Sequence, residues 1–428
     1  MKNLFFLCLL LSVGCSRCFD SCNPTPNTNN ITCDQSPARY VPNEIILDAQ
    51  GLGADYGTYK TYLESKGFKK RDSCNCARQL ELWGNDNDID VIGVIKDAKT
   101  STDPTSGSTR LSPNFDITPD LIQRNIQTQQ DTPKIVNPAG PHVRIVIVDT
   151  GVDPSNSASS MLWHKLGSTG IPCSAEGDYG LNVPHPFNNP LDKQGHGTHI
   201  NGIVSGIPSK TGNQSGINFE LLNVKITPDS TPKGNLFKAV CGLYYGLDRG
   251  GQVFNLSWGY TGGNAPELIK SFLEIAKTKN VVIVAGAGNE GNDIDIQKFW
   301  PASFSETYKD FVISVGAYNA NYIPPTPSSP LYQLYVQTNV GKSVDVYAPG
   351  VDIESTYIGG SGARAIASGT SMAAAYVTRV AAIIRGKKPS MSAKDIKDCI
   401  MNNSKIETVE GIGARIFDAQ KVITACGN

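Results

Sequence analysis

The fold of this chain is most constrained by a series of short stretches rich in valine and isoleucine that alternate with segments of helical periodicity. The strand-like stretches are residues 144–148, 253–256, 281–284, 312–315 and 344–347. Apolar residues recur at helical spacing in 236–248, in 266–279 and after Ser371. Strands that are apolar on both faces must be covered on both faces by other elements. The alternation therefore predicts a three-layer α/β fold, with a doubly wound, mostly parallel sheet between helices.

In such sheets the functional crevice lies beyond the carboxyl ends of the strands, and three polar side chains follow strands or glycine-rich turns. Asp149 ends the stretch 144–148, His196 stands between two glycines, and Asn289 lies in a glycine-rich turn. Each has a structural alternative. Asp149 can be a turn residue, Asn289 part of a simple glycine turn, and His196 with His199 a pair of metal ligands, although no glutamate completes a zincin motif.

Ser371 lies where a turn gives way to a helix, whose free N–H groups and positive dipole end favour negative charge nearby. A serine at such a place is commonly no more than an N-cap. It becomes a nucleophile only where a base, an orienting acid and an oxyanion donor accompany it. His196, Asp149 and Asn289 supply these three types of group, in the chain order Asp, His, Asn, Ser.

Three short motifs and one asparagine in this order resemble the active-site motifs of the subtilisin-like (subtilase) serine endopeptidases. The motifs read DTG at 149–151, HGTH at 196–199 and GTSMA at 369–373. The likeness runs from about residue 143 to residue 425 and so covers most of the chain. It implies a Ser371 nucleophile, a His196 base and an Asp149 that orients the imidazole. It also implies that the Asn289 amide and the Ser371 N–H stabilise the oxyanion.

The resemblance has further implications. Ser257, Trp258 and Gly259 match the segment that pairs with the substrate backbone and walls the first specificity pocket. The resemblance also implies a subtilisin-like fold, protein or peptide substrates, a monomeric state and catalysis without a cofactor. Structural calcium is frequent in the family, but no acidic loop here identifies its ligands, and no metal ligand is assigned.

The chain departs from the family pattern at Asn201, where alanine is usual, and at Ala375, where proline is usual. Neither change removes a catalytic group.

The first 18 residues have the composition of a signal peptide. A lysine near the start precedes an apolar stretch at 4–13 that is too short to span a bilayer, and small residues follow. This predicts secretion; the alternative is a lipid anchor at Cys15, because residues 12–15 loosely resemble a lipoprotein cleavage box. Eight of the 11 cysteines follow the signal, an even number that fits disulfides in an oxidising compartment. The sequence-local pairs are Cys22–Cys33 and Cys399–Cys426.

A small α+β unit is predicted between the signal peptide and the peptidase domain, in residues 19–100. It has strand patterns at 44–47, 79–83 and 91–95 and a helical pattern at 59–65. Residues 101–136 are interpreted as a Ser/Thr/Pro-rich linker and N-terminal arm, open to proteolysis, and 137–428 as the peptidase domain. Propeptides of the resembled family have a similar size, assist folding and inhibit the enzyme. This position therefore predicts an inhibitory propeptide and a zymogen.

Composition argues against some classes of function. With 38 Lys and Arg against 39 Asp and Glu, the net charge is −1, which gives no basic surface for nucleic acid. No stretch after the signal is long and apolar enough to be transmembrane. Two alternatives to an active peptidase stay open. One is a catalytically silent subtilase fold that binds protein partners. The other is a nucleotide-binding enzyme, against which the missing glycine fingerprint after 144–148 counts.

Overall fold

The computed structural model describes residues 40–74, 79–101, 110–119, 124–126, 142–156, 161–163, 177–185, 188–206, 216–326 and 329–427. The predicted signal peptide, the alternative anchor at Cys15 and the Cys22–Cys33 pair lie outside these residues. Within them, no helix combines the length and the hydropathy needed to cross a membrane.

The secondary-structure elements of the described residues are numbered in chain order. The strands are β1 (Tyr40–Asp48), β2 (Lys69–Ser73), β3 (Leu80–Gly84), β4 (Leu111–Pro119), β5 (Arg124–Ile126), β6 (His142–Asp149), β7 (Gly180–Asn182), β8 (Asn218–Lys225), β9 (Gly234–Asn235), β10 (Val253–Leu256), β11 (Trp258–Thr261), β12 (Val282–Gly286), β13 (Phe299–Trp300), β14 (Val312–Tyr318), β15 (Val346–Pro349), β16 (Ile353–Thr356), β17 (Arg364–Ala367), β18 (Lys405–Val409) and β19 (Ile412–Ile416). The helices are α1 (Tyr56–Ser65), α2 (Val91–Ser101), α3 (His196–Ser205), α4 (Leu236–Asp248), α5 (Glu267–Thr278), α6 (Thr370–Lys387), α7 (Ala393–Asn402) and α8 (Ala419–Cys426).

The central sheet is mostly parallel, as the alternation of strands and helices predicts. In the described part of the chain it has nine strands, in the order β18-β19-β15-β14-β12-β10-β6-β8-β7. Neighbouring strands are parallel except for the pair β18 and β19. The chain winds outward from β6 in both directions, to β8 on one side and to β10 on the other. Asp149, the last residue of β6, therefore lies at the switch point where such sheets bind their ligands.

Helices cover both faces of this sheet. Gly246 of α4 lies against Val146, whereas Gly386 of α6 lies against Val143. Residues three apart in one strand point to opposite faces, so α4 and α6 lie on different sides. Because α5 packs beside α4, and α3 beside α6, two helical layers enclose the sheet. Strand residues between the layers, such as Ile145, are fully buried, which gives the predicted three-layer fold.

The small α+β unit contains β1, β2 and β3, which form an antiparallel sheet that shares a core with α1 and α2. One sequence prediction is wrong here, because residues 91–95 begin helix α2 and are not a strand. The buried residues of α2 are Val91, Val94, Ile95 and Ala98. This is the i, i+3, i+4, i+7 spacing of a helix with one apolar face.

Both faces of the small unit's sheet are buried. Ile45 and Leu47 of β1 point into the unit's own core. Ile46 of β1, together with Leu80 and Leu82 of β3, belongs instead to the core of the predicted peptidase domain, residues 137–428, or peptidase part. β3 packs directly against α4. The small unit therefore docks on the peptidase part through an apolar face of its sheet. In many antiparallel sheets the corresponding face is exposed to water.

The predicted linker is wrong in its second part, because residues 111–119 form strand β4. On one side β4 pairs with β1 of the small unit, and toward its C-terminal end it pairs with β11 and β9 of the peptidase part. A single sheet thus continues from the small unit into the peptidase part. Residues 102–109, 120–123 and 127–136 of the predicted linker and arm lie outside the described residues.

Two disulfides join described residues. Cys399–Cys426 connects α7 to the end of α8 with a Cα–Cα distance of 6.1 Å, the pairing that sequence proximity predicts. Cys74–Cys241 has a Cα–Cα distance of 5.7 Å and connects residues 167 apart. It links the residue after β2 in the small unit to helix α4 of the peptidase part, a pairing that sequence spacing did not predict.

Candidate active site

Asp149 and His196 meet at the carboxyl end of the central sheet. Asp149 is the last residue of β6, and His196 is the first residue of α3. Asp149 Oδ1 and His196 Nδ1 are 2.7 Å apart, and the Thr150 N–H donates to the same oxygen at 2.7 Å. The two side chains are 0% and 3% exposed, respectively. Because an ionised carboxylate only accepts hydrogen bonds, Nδ1 carries the proton, and Nε2 is the basic nitrogen of the neutral ring.

The turns around this pair require glycine at two positions. Gly195, which precedes α3, has a φ of +96°, a backbone conformation that other residues rarely adopt. The Gly197 N–H donates to Thr150 Oγ1 at 2.8 Å, and a Cβ on Gly197 would overlap the Gly151 carbonyl oxygen. The HGTH and DTG motifs therefore pack backbone against backbone, which brings the side chains of Asp149 and His196 within hydrogen-bond distance.

Asp192 supports this arrangement, although sequence reasoning missed it. Its carboxylate accepts hydrogen bonds from Thr150 Oγ1, from the N–H groups of Gln194 and Gly195, and from the N–H and Oγ1 of Thr198. These bonds tie the turn after β6 to the first turn of α3. A carboxylate shortly before a helix start is the pattern of a capping residue, so its spacing from the histidine motif was an available signal.

Lys225 is a second supporting residue that sequence reasoning missed. It pairs in register with Asp149 from the neighbouring strand β8 and is fully buried. Its Nζ donates to the Thr150 carbonyl at 2.8 Å and lies 3.1 Å from the Asp229 carboxylate. Lysine is almost never fully buried without a partner. A lysine that ends an apolar strand was therefore a detectable signal.

Asn289 lies in the turn after β12 and contacts the first residue of α6. Its Oδ1 accepts the Thr370 N–H at 2.9 Å, which makes Nδ2 the donor end of the amide. Thr370 Oγ1 in turn accepts the Gly288 N–H at 3.1 Å. A Cβ on Gly286 would also come within 3.1 Å of Thr370 Oγ1. The glycine-rich turn and the N-terminus of α6 are thus held in a fixed relative position.

Ser371 is the second residue of α6, which begins at Thr370. Gly369 occupies the N-cap position, so the interpretation of Ser371 as an N-cap is wrong. Ser371 is 2% exposed, and its Oγ donates to the Ser257 carbonyl at 3.1 Å. Helix α6 packs against α3, the helix that begins with His196.

Ser257, the first predicted substrate-binding residue, connects the start of α6 to strand β10. Its Oγ donates to the Ser371 carbonyl at 3.1 Å and accepts from Asn255 Nδ2 at 2.8 Å. Asn255 Oδ1 accepts in turn from Thr378 Oγ1, farther along α6, at 2.9 Å. This buried polar chain anchors the first turns of α6 against the sheet.

The other two predicted substrate-binding residues, Trp258 and Gly259, begin strand β11. They pair antiparallel with Pro119 and Thr118 of β4, while β9 pairs with the other edge of β4. Ile117, between these two edges, is 0% exposed. The backbone edge that the sequence predicts to bind substrate is thus covered by the chain's own strand β4.

His199 has a structural role in the fold. The side chain is fully buried, and its Nε2 donates to the carbonyls of Ile353 at 3.0 Å and Ala365 at 3.2 Å. Burial, with a smaller contribution from His196, lowers the pKa of His199 to about 3, so the ring is neutral above that pH.

Asn201, which stands where the family commonly has alanine, is a further buried polar group of α3. Its Nδ2 donates to the Gly197 carbonyl at 2.7 Å and to Asn223 Oδ1 at 2.8 Å. The amide thereby connects the first turn of α3 to strand β8 beneath it.

The donor groups for a metal ion are not assembled in this part of the structure. Among the described residues, no three His, Cys, Asp or Glu side chains are placed to hold a metal ion together.

Known proteins resemble the C-terminal two thirds of the chain. The family model described as the Subtilase family, Peptidase S8, matches residues 140–419. A cell wall-associated protease of Bacillus subtilis is 31% identical over 279 residues, which are 64% of this chain but only 27% of that protease. Subtilisin DY of Bacillus licheniformis is 29% identical over 262 residues, 60% of this chain and 82% of that one. The crystal structure of a cold-adapted subtilisin-like serine proteinase matches with a TM-score of 0.49 and 20% identity, over 67% of this chain and 95% of that one.

Proposed function

This chain belongs to the subtilase family of serine peptidases, and from that premise we propose that it is a serine endopeptidase that hydrolyses peptide bonds through an acyl-enzyme. The observation that carries the proposal is the 2.7 Å hydrogen bond between Asp149 and His196. It sets the imidazole tautomer that a general base requires. The helix that begins at His196 packs against the helix that carries Ser371, so the proposed nucleophile lies on the neighbouring element.

In the proposed reaction, His196 Nε2 takes the proton of Ser371 while Ser371 Oγ attacks the carbonyl carbon of the scissile bond. Asp149 stabilises the imidazolium that forms and does not itself take the proton. The oxyanion accepts hydrogen bonds from Asn289 Nδ2 and from the Ser371 N–H. The imidazolium then protonates the leaving amine, and a water molecule activated by the same imidazole hydrolyses the acyl-enzyme.

We also propose that substrates bind as an extended strand between β9 and β11. The support comes from β4, which already lies there as an antiparallel strand between Gly234 on one edge and Gly259 on the other. Backbone pairing of this kind accepts many sequences, because the hydrogen bonds come from groups that every residue except proline possesses. Protein and peptide chains are the substrates that fit such a groove.

The protein is further proposed to be secreted as a zymogen in which the small unit and β4 inhibit the peptidase. In addition to occupying the groove, this segment binds the N-terminus of α4. Asn114 Oδ1 accepts the Phe237 N–H at 3.0 Å, and Asn114 Nδ2 donates to Glu44 at 2.6 Å. Substrate and inhibitor cannot occupy the same edges, so β4 must leave before hydrolysis begins.

A fluorophosphonate probe, which labels only activated serine nucleophiles, tests the proposed activity. We expect labelling of the protein after β4 has been displaced, none of the Ser371→Ala variant, and full labelling of Ser404→Ala. Ser404 is also buried, its Oγ donates to the Ile400 carbonyl, and it has no part in the proposed reaction, so it is the matched control. Equal labelling of the parent and Ser371→Ala proteins, or none in either, would contradict the proposal, and the second outcome would favour a catalytically silent binding fold.

N-terminal sequencing of secreted material tests the proposed maturation. Autoprocessing predicts that the parent has a second N-terminus beyond residue 119, in addition to the one left by signal removal, and that Ser371→Ala has only the latter. Identical N-termini in the two proteins would show that another peptidase makes the cut, or that no cut occurs.

A further inference from the structure

The disulfide Cys74–Cys241 joins the two parts of the molecule that maturation is proposed to separate. Cys74 directly follows β2 of the small unit, and Cys241 lies in α4 of the peptidase part. Because the bonded residues are 167 positions apart, one peptide-bond cleavage anywhere in residues 75–240 leaves the two fragments covalently linked. That range contains the whole of the predicted linker and arm.

We propose that this disulfide retains the inhibitory segment, residues 40–119, on the peptidase after the connecting chain has been cut, so that activation needs a second, reductive step. The inference rests on the proposed function and concerns the regulation of the same site. Cleavage alone would produce a two-chain protein that is still inhibited, and opening of Cys74–Cys241 would release the inhibitory segment.

The contacts around the disulfide explain why the retained segment would stay bound. Ile46, Leu80 and Leu82 share the apolar core of the peptidase part, and Ile117 is fully buried between the edges of the groove. The Phe115 ring also stacks on Tyr260 of β11, with centroids 4.7 Å apart and an interplanar angle of 11°. The segment has a large apolar footprint to return to, and the disulfide keeps it within reach.

The size of the effect follows from effective concentration. A short covalent link holds a binding segment at an effective concentration of about 1 mM. If the cut segment had a dissociation constant of about 1 μM, only about 0.1% of the linked molecules would have an open groove. In an assay at about 10 nM protein, about 99% of the molecules would be open once the link was broken. The expected gain in activity is therefore about two to three orders of magnitude.

Thiol–disulfide exchange with a dithiol is the chemistry that opens the link. One thiolate of the dithiol attacks the Sγ of Cys74, which is partly exposed, while Cys241 is 3% exposed. The S–S bond breaks, and Cys241 departs as a thiolate and takes up a proton. The second thiol of the reagent then attacks the mixed disulfide and releases Cys74 as a thiol. The two cysteines gain two electrons and two protons, and the dithiol is oxidised to its own disulfide.

The covalent part of the proposal is tested without any catalytic activity. A recognition sequence for an unrelated, sequence-specific serine protease is inserted between residues 130 and 131 of the Ser371→Ala chain, and the purified protein is cut there. Electrophoresis under denaturing but non-reducing conditions should show one band, and reduction should separate it into two. Two bands before reduction would overturn the proposal.

The regulatory part uses the same insertion in the active chain, with hydrolysis of a peptide substrate as the readout. The cut protein should be nearly inactive until a dithiol is added. The Cys74→Ser/Cys241→Ser variant should be active as soon as it is cut. The Cys399→Ser/Cys426→Ser variant removes a disulfide that spans only 27 residues near the end of the chain, so it should still require the dithiol. High activity of the cut parent before reduction would overturn the reductive step.

Two further controls separate the possible failures. If the Cys74→Ser/Cys241→Ser chain does not fold, a dithiol titration of the cut parent gives the same information, because activity should rise in parallel with the appearance of two bands. If hydrolysis and fluorophosphonate labelling stay absent after full reduction, the proposed peptidase activity is overturned, and the electrophoresis of the Ser371→Ala chain decides the covalent link independently.

Discussion

Acid should destabilise this protein through His199, and the effect can be worked out from its surroundings. Burial lowers the pKa of His199 to about 3, from an ordinary value of 6.5. As the pH falls below 6.5, the unfolded chain binds a proton at this residue and the folded chain does not. The free energy of unfolding therefore falls with decreasing pH, by about 1.4 kcal/mol per pH unit, until the folded-state pKa is reached.

Between pH 7.5 and pH 4.5 this one group should reduce the free energy of unfolding by about 3 kcal/mol. Carboxylates titrate over part of the same range, so the contribution of His199 is isolated by comparison with His199→Gln. A glutamine can donate from its side-chain nitrogen to the Ile353 and Ala365 carbonyls, as His199 Nε2 does, but it does not titrate. We expect the stability of His199→Gln relative to the parent to rise by about 3 kcal/mol over that interval.

The assay is urea unfolding at a series of pH values, with Ser371→Ala as the parent to prevent self-digestion. His185→Gln is the control, because His185 is exposed, and it should follow the pH dependence of the parent. If His199→Gln and the parent lose stability in parallel over the whole interval, to within about 0.5 kcal/mol, the inferred neutral, buried state of His199 is refuted.

Three other substitutions test the support of the site. Asn289→Ala should lower kcat by about 10²–10³ with little change in KM, the figure known for this donor in a subtilisin; a large rise in KM at unchanged kcat would contradict the oxyanion role. Gly197→Ala should cost about 1–3 kcal/mol of stability and most of the activity, because the new Cβ would overlap the backbone of Gly151. The control is Gly57→Ala, at an exposed helix position with no neighbour within 4 Å, which should be neutral or stabilising. Asp192→Asn should cost about 3 kcal/mol in urea unfolding, because an amide nitrogen replaces an oxygen that accepts from two or three donors; an unchanged midpoint would refute that reasoning.

The peptidase part of the fold was predictable because its signals are long and consistent. Helix α4 spans Leu236–Asp248, the same bounds that helical periodicity predicts. The errors come from short windows. Over residues 91–95 alone, an apolar run fits a strand or a buried helix equally well, and only the additional burial of Ala98 reveals the helical register. Residues 111–119 were interpreted as a linker from their Ser, Thr and Pro content. However, apolar residues occupy every second position from Leu111 to Pro119, which is the period of a strand.

The residues of the candidate site also differ in how directly the sequence reveals them. Asp149, His196 and Ser371 stand in short motifs that the sequence displays directly. Part of their support comes from elsewhere in the chain, because Lys225 reaches the Thr150 carbonyl from strand β8. Asp192, in contrast, stands just before His196 in the sequence and accepts hydrogen bonds from Thr150 and Thr198. A carboxylate as buried as Asp149 is stable only where donors and opposite charge surround it. A buried carboxylate at the end of an apolar strand therefore predicts that supporting residues surround it. Only the pairing of β6 with β8 shows that Lys225 lies beside Asp149.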